Sequence, residues 1–207
     1  MKNFYQSGRS MIEMLGVLAI VGILSVGGFN LVNKMQTSST INEVLDEVST
    51  LASKVRTVAR DYEGTSGAQI NSYVKKAKAV PDTFLYTEDE SNPDNISFTG
   101  AGDVDYSIYY IGSPRVLFSI KLENVSTDIC MQIATNNWGG PSSSGFRGIA
   151  VNMDAPTSVD SAIQSGLNTS LSANLAVAGH STNPAPMGIG TATDTCGNTN
   201  TIIMSFR

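Results

Sequence analysis

The feature that most constrains this chain is an uncharged apolar run near its amino terminus. No charged residue occurs between Met14 and Val32. At about 1.5 Å per helical residue these positions extend roughly 28 Å, close to the thickness of a bilayer's hydrocarbon core. The run therefore predicts a membrane-spanning helix. Glu13 directly precedes it, and a carboxylate at the edge of such a helix marks a functional residue, because its burial costs a few kcal/mol unless it finds a partner.

Two simpler interpretations of the apolar run compete with this one. A cleaved secretory signal normally has an apolar stretch of about 7–15 residues that ends at a small-x-small site. This run is longer and continues into helix-like sequence. A plain signal anchor would account for the run but leaves Glu13 unexplained.

The residues before Glu13 carry a second pattern. The chain reads GRSMIE from Gly8 to Glu13, and this segment strongly resembles the processing site of the type IV pilin and pseudopilin family. In that family a short hydrophilic leader ends in glycine, and glutamate is the fifth mature residue. The resemblance implies cleavage between Gly8 and Arg9 by a membrane-embedded aspartyl prepilin peptidase that also N-methylates Arg9. Arg9 stands where the family usually has an aromatic residue or methionine.

Cleavage at this site would give Glu13 a partner. The new α-amino group is a cation at the membrane edge, and Glu13 of one subunit can pair with that terminus on a neighbour when the apolar helices bundle. Such a pair fixes axial register more than it adds affinity, because both charges lose hydration. We therefore expect Glu13 to be an assembly residue.

A second helical pattern follows the apolar run. Apolar residues recur at spacings of three and four, as in an amphipathic helix with one apolar stripe. The stripe consists of Ile41, Val44, Leu45, Val48, Leu51, Ala52, Val55, Val58, Ala59 and Tyr62. Thr40 followed by Glu43 fits a capping box and predicts a bend or a helix restart at residues 37–40.

The rest of the chain predicts an α+β head. Residues 64–103 are rich in Gly, Ser, Asn, Asp and Pro, and they predict a connecting loop with a short helix near 73–79. Two runs of alternating apolar residues, 104–111 and 116–122, are separated by a Gly-Ser-Pro turn and predict a β-hairpin.

Four further elements are predicted toward the carboxyl terminus. They are a short helix after Ser126 that carries Cys130, a strand at 146–153, a helix with an apolar residue every fourth position from Val159 to Leu175, and a strand at 199–206.

Cys130 and Cys196 are the two cysteines of the chain. In an exported protein they predict one disulfide that closes a long loop, and two unrelated buried thiols are the alternative. The family resemblance adds that the segment bounded by the cysteines is the exposed, variable region of a pilin.

Composition argues against several functions. The net charge of −5 disfavours nucleic-acid binding, which needs clustered Lys and Arg. The single histidine, His180, lies in a polar stretch, which predicts that it is a surface loop residue. With one histidine and two cysteines, the chain lacks ligands for a zinc site. The sequence contains no nucleophile-elbow, Walker A or Rossmann motif. We expect no metal, no cofactor and no enzyme activity. Trp138 is either a loop anchor or an exposed binding aromatic.

These patterns together predict a prepilin with an α+β pilin fold, in which a long N-terminal helix packs on an antiparallel sheet. The expected parts are a leader at 1–8, a transmembrane and filament-core helix at 9–33, its amphipathic continuation at 34–63, and a head at 64–207.

The resemblance implies a structural subunit that waits in the inner membrane, with its head outside the cytoplasm, and is then polymerised into an extracellular filament. The implied partners are further copies of the chain, the prepilin peptidase, an assembly ATPase and a platform membrane protein. A minor pilin or a type II secretion pseudopilin is an alternative within the family. The larger head favours the type IVb-like group, whereas the short leader does not. A signal-anchored periplasmic protein that never polymerises is the alternative outside the family.

Overall fold

The structure is a computed structural model that describes residues 7–89, 92–153, 155–165 and 172–207, without the side chains at 7–12, 22–34, 89, 92–95 and 164–165. The chain divides into two compact units, Met1–Thr40 and Ile41–Arg207. We call the second unit the head. Most of the predicted leader, residues 1–6, lies outside the described residues.

One long helix, α1, runs from Ser7 to Arg60. The predicted helix restart at residues 37–40 is wrong, because the helix continues through them. Thr40 does not act as a cap; its hydroxyl donates a hydrogen bond to the carbonyl of Gln36. A Ser or Thr hydroxyl inside a helix commonly satisfies itself in this way, four residues back, without interrupting the helix.

The head contains four further helices and seven strands among the described residues. The helices are α2 (Asn71–Lys76), α3 (Thr127–Thr135), α4 (Pro156–Ser165) and α5 (Ile189–Thr195), with one 3₁₀ turn at Ala101–Asp103. The strands are β1 (Leu85–Asp89), β2 (Asn92–Thr99), β3 (Asp105–Tyr110), β4 (Phe118–Ser126), β5 (Phe146–Val151), β6 (Leu175–Val177) and β7 (Thr199–Phe206).

The strands form one antiparallel sheet in the order β1-β2-β3-β4-β7-β5-β6. The predicted hairpin is confirmed as β3 and β4, in which Tyr106 lies opposite Leu122 and Ile108 opposite Ile120. The C-terminal strand β7 enters between β4 and β5. The end of the chain is thereby held in the middle of the sheet.

The apolar stripe of α1 packs in the core of the head, as predicted. Val44, Val48, Leu51, Val55 and Ala59 are fully buried and belong to one cluster with apolar residues of β2, β3, β4 and β7. Burial of each Val or Leu side chain contributes about 1.5–3 kcal/mol. This stripe therefore holds the Ile41–Arg60 part of α1 against the sheet.

A second, smaller cluster joins α4 to the sheet. Val159 and Ile163 pack with Ala150 of β5, Ile203 of β7 and Val177 of β6. Successive residues of a strand point to opposite faces, which explains how β7 contributes Ile202 to the first cluster and Ile203 to the second. The part of the sheet formed by β5, β6 and β7 is thus buried on both sides.

Two predictions for the head need correction. Residues 64–103 are not simply a connecting loop, because they contain the paired strands β1 and β2. The predicted helix from Val159 to Leu175 is confirmed only as α4, and residues 166–171 lie outside the described residues. Leu175 itself belongs to strand β6.

Candidate functional site

The predicted processing and assembly residues lie together near the start of α1. Gly8 and Arg9 belong to its first turn, although their side chains are outside the described residues. Glu13 lies four residues after Arg9 on the same helix, and its side chain is exposed. The carboxylate is therefore accessible to a partner.

Every residue from Met14 to Val21, directly after Glu13 on α1, is apolar. Met14, Leu15, Val17, Leu18, Ile20 and Val21 are each between 52% and 65% exposed. A helix that is apolar all around is normally buried in a membrane or inside a larger assembly. None of the helices, as far as the structure describes them, combines the length with the apolar character that a transmembrane span requires.

Within the head, Glu47 is a buried carboxylate that the sequence analysis did not single out. Its side chain is 7% exposed. It accepts hydrogen bonds from the backbone N–H of Ala101 at 3.1 and 3.2 Å, from the Tyr106 hydroxyl at 3.0 Å and from the Thr83 hydroxyl at 3.2 Å. These donors replace the lost hydration of the carboxylate and join α1 to three separate segments of the head.

Tyr106 is held in its protonated form by this arrangement. Burial raises the pKa of its phenol, and the Coulombic effect of Glu47 and the hydrogen bond to Glu47 raise it further. A phenolate beside a carboxylate in a buried site would be doubly unfavourable, so the phenol remains a donor.

Gly100 completes the Glu47 site. A Cβ atom at this position would collide with Oε2 of Glu47 and with the ring of Tyr106. The absence of a side chain allows the backbone to approach the carboxylate closely, and the neighbouring N–H of Ala101 can then bind it.

The head contains a disulfide between Cys130 of α3 and Cys196 at the end of α5. The predicted pairing is therefore present, and the alternative of two separate thiols does not apply. The bridge closes a loop with a sequence separation of 66 residues, which contains β5, α4 and β6. Both sulfurs lie in the main core of the head.

Two other residues have structural roles. His180 lies in a loop, but the prediction that it is at the surface is wrong, because it is 7% exposed. Its Nδ1 accepts hydrogen bonds from the backbone N–H groups of Thr182 and Asn183. Trp138 is a loop anchor: it packs against the core and its indole N–H donates to the carbonyl of Ile133 at 2.8 Å.

In the part of the chain that the structure describes, no three His, Cys, Asp or Glu side chains converge as metal ligands would. The charged and aromatic groups of the head instead form structural contacts.

Comparison with solved structures reveals one informative similarity. The crystal structure of a type IVb pilin from Salmonella typhi matches with a TM-score of 0.52 and 17% sequence identity, and the match covers 79% of this chain and 97% of that chain. The chain has a type IV pilin-like fold. Comparisons with family models and with curated proteins give no match. The pilin-like fold agrees with the family resemblance that the residues around Glu13 suggest.

Proposed function

We propose that this chain is the structural subunit of a type IV pilus-like filament, polymerised through its N-terminal helix. The observation that carries the proposal is the coincidence of two independent features. One is the pilin-like fold of the head. The other is a helix on which an exposed carboxylate, Glu13, is followed by exposed apolar residues from Met14 to Val21.

Processing is the first step of the proposed function. A prepilin peptidase cleaves between Gly8 and Arg9 and methylates the new amino terminus at Arg9. Before cleavage the chain is held in the inner membrane by the apolar run 14–32, with its head outside the cytoplasm. The leader is short and hydrophilic, which suits a segment that stays on the opposite side from the head.

Polymerisation is the second step. The exposed side chains from Met14 to Val21 leave the lipid and pack against the same segment of other copies, so apolar surface stays out of water throughout. Glu13 then pairs with the cationic amino terminus of a neighbour. Because an unpaired charge in an apolar bundle is strongly unfavourable, only one axial register satisfies the pair. An assembly ATPase and a platform protein would drive extraction.

Substitution of Glu13 tests this role. Glu13→Leu should leave a folded, membrane-held protein that forms no filaments, counted by electron microscopy of sheared cell surfaces. Glu63→Leu is the matched control, since Glu63 is an exposed carboxylate just beyond α1. Normal filaments from the Glu13→Leu chain would refute the assembly role. Filaments lost equally in both variants would also refute it.

A further inference from the structure

The arginines of the head are gathered in one place. The chain has six arginines, and five of them lie in the head. We call these five the arginine cluster: Arg56, Arg60, Arg115, Arg147 and Arg207. They come from α1, from the turn before β4, from β5 and from the residue after β7.

The end of β7 brings three of these segments together. The backbone N–H of Arg207 donates to the carbonyl of Gly145 at 2.8 Å. Arg147 follows two residues later on β5, and Nη2 of Arg56 donates to the carbonyl of Ser144 on the same loop. The arginines of α1, β5 and β7 therefore meet at a single end of the sheet.

The turn before β4 reaches the same place. The N–H of Leu117 donates to the carbonyl of Phe206 at 2.7 Å, so Arg115, two residues earlier, lies beside the end of β7. Next to Arg115, the hydroxyl of Ser113 donates to the buried carboxylate of Asp160 at 3.0 Å. The Asp160 carboxylate thus approaches the cluster, and it accepts a hydrogen bond from Ser113.

No arginine of the cluster forms an ion pair with a side chain that the structure describes. Among the described residues the ion pairs are Lys75–Glu88 and Lys121–Glu123, and neither involves an arginine. Burial and the neighbouring Arg207 and Arg115 lower the pKa of Arg147, and burial with Arg60 lowers that of Arg56. The Nε atoms of Arg56 and Arg147 are buried without a hydrogen-bond partner.

An acidic groove lies near the N-terminal end of the part of α1 that belongs to the head. It encloses about 350 Å³ and is lined by Glu43, Asp46 and Glu47 on one side and by Pro81 and Leu85 on another. Glu43 and Asp46 are exposed, and Leu85 is 74% exposed. Carboxylates beside apolar surface match the guanidinium and aliphatic stem of an arginine.

The overall charge of the head indicates which kind of partner the arginine cluster binds. Between Ile41 and Arg207 the chain has seventeen acidic and ten basic side chains. A free polyanion such as a nucleic acid would be repelled by most of this surface. Another head, which carries an acidic groove, offers the complementary charge together with a fixed shape.

The two surfaces are displaced along one helix. Asp46 and Arg56 are ten positions apart on α1, and Glu43 and Arg60 are seventeen apart, which corresponds to about 15–25 Å at 1.5 Å per residue. The two surfaces also lie on different sides of α1, because these spacings are not whole numbers of turns. A neighbour that is set beside the first copy, turned about α1 and shifted by this order along the helix axis brings its arginine cluster to the acidic groove of the first. Because the two surfaces differ, each copy can bind a further copy in the same way. Such a contact gives an open helical filament when the rotation between copies does not close a ring.

We propose that the arginine cluster of one copy docks into the acidic groove of a second copy and forms a head-to-tail contact along α1. The inference rests on the proposed filament function, to which it adds a contact between heads. It differs from the pairing of Glu13, because it lies wholly in the head and depends on exposed, salt-screened charges.

Charge reversal of the full-length chain in neutral detergent micelles tests the contact. Arg60→Glu with Arg207→Glu reverses two exposed members of the cluster, and Glu43→Lys with Asp46→Lys reverses the groove. Lys76→Glu with Lys78→Glu makes the same change in net charge as the first variant and is its control. Trp138 fluorescence and circular dichroism verify folding of every variant.

Sedimentation should show that the unaltered chain associates at about 0.01 M salt and dissociates at about 1 M, where the Debye length falls from roughly 30 to 3 Å. Each double variant alone should associate about tenfold more weakly, which corresponds to about 1.4 kcal/mol. An equimolar mixture of the two should regain association, because the reversed cluster matches the reversed groove. Misfolding cannot produce this rescue.

The contact is refuted if the mixture associates no better than either variant, if the lysine control weakens association equally, or if the unaltered chain shows no salt-sensitive association. Glu13→Leu separates this result from the filament proposal. In micelles that chain should keep its salt-sensitive association. If the mixture fails to regain association and Glu13→Leu forms no filaments, the head contact alone is refuted. If the mixture regains association and Glu13→Leu forms normal filaments, the role of Glu13 alone is refuted.

Discussion

Glu47→Gln should destabilise the head by about 2–3 kcal/mol. The substitution keeps the size of the side chain but removes its charge. Hydrogen bonds to a charged group contribute about 1.5–3 kcal/mol each, against roughly 1 kcal/mol for neutral ones. The donors are Ala101 N–H, the Tyr106 hydroxyl and the Thr83 hydroxyl.

The three donors should not contribute equally. Thr83 is exposed and can turn to water, and Ala101 is half-buried. Tyr106 is 1% exposed, so its hydroxyl remains desolvated when the carboxylate is lost. The amide nitrogen of glutamine is a donor and cannot accept from all three groups. The largest part of the loss should therefore come from the Tyr106 hydrogen bond.

Urea unfolding of the full-length protein measures this loss. Trp138 is the single tryptophan, and its fluorescence reports on the head alone. With a slope of about 2 kcal/mol per molar urea, the midpoint should fall by roughly 1 M. Glu43→Gln, one turn earlier and exposed, should change it by less than about 0.3 M.

A double-mutant cycle makes the argument specific. If Glu47 acts through the phenol, Glu47→Gln and Tyr106→Phe together should cost about 1 kcal/mol less than the sum of the single effects. Strict additivity, or an effect of Glu47→Gln no larger than that of Glu43→Gln, would refute the proposed role of the buried carboxylate.

Three further outcomes follow from the same structure. Because the pKa of Tyr106 is raised in the folded state, the unfolded chain releases this proton near pH 10 while the native chain retains it. The free energy of unfolding should therefore fall above about pH 10, by up to about 1.4 kcal/mol per pH unit from this group. Urea titrations at successive pH values measure this slope, and Tyr106→Phe should flatten it. Replacement of Cys130 and Cys196 by alanine should cost about 4 kcal/mol for a loop of this length, and a urea midpoint equal to that of the bridged protein would contradict this. Gly100→Ala should lower the urea midpoint by about as much as Glu47→Gln, because the added methyl group displaces the carboxylate from Ala101; an unchanged midpoint would show that the loop moves freely.

Much of the head was predictable because its central strands have clear apolar patterns. The runs that became β3 and β4 have apolar residues at every second position and a turn between them, and β7 contains the continuous apolar run Ile202-Ile203-Met204 of a strand that is buried on both faces. The β1–β2 hairpin was missed because β1 is an edge strand with one partner, and it carries Glu88 and Asp89 while β2 carries Pro93 and Asp94. Edge strands tolerate charge and proline, so their composition resembles that of a loop.

The buried functional groups could not be predicted in the same way. Glu47 falls within the apolar stripe, between Val44 and Val48, and this is the one local sign that it is buried. Its partners lie 36 to 59 positions away, so only the fold shows that they satisfy the carboxylate. The arginine cluster is likewise assembled from four distant segments by the pairing of β7.

By contrast, the short segment around Glu13 can be recognised from the order of its residues alone. The proposed processing and assembly would depend on a glycine, a terminus and a carboxylate at fixed spacing, before any tertiary contact forms. The structure adds that this segment is helical and that the side chains after Glu13 are exposed.

The amino terminus of the protein isolated from cell envelopes or sheared filaments tests the central claim most directly. Intact-mass measurement should find a chain that begins at Arg9, lacks residues 1–8 and carries one added methyl group. Such a terminus would supply the cation that Glu13 of a neighbour requires. A mature protein that still begins at Met1 would contradict both the processing and the mode of assembly proposed here.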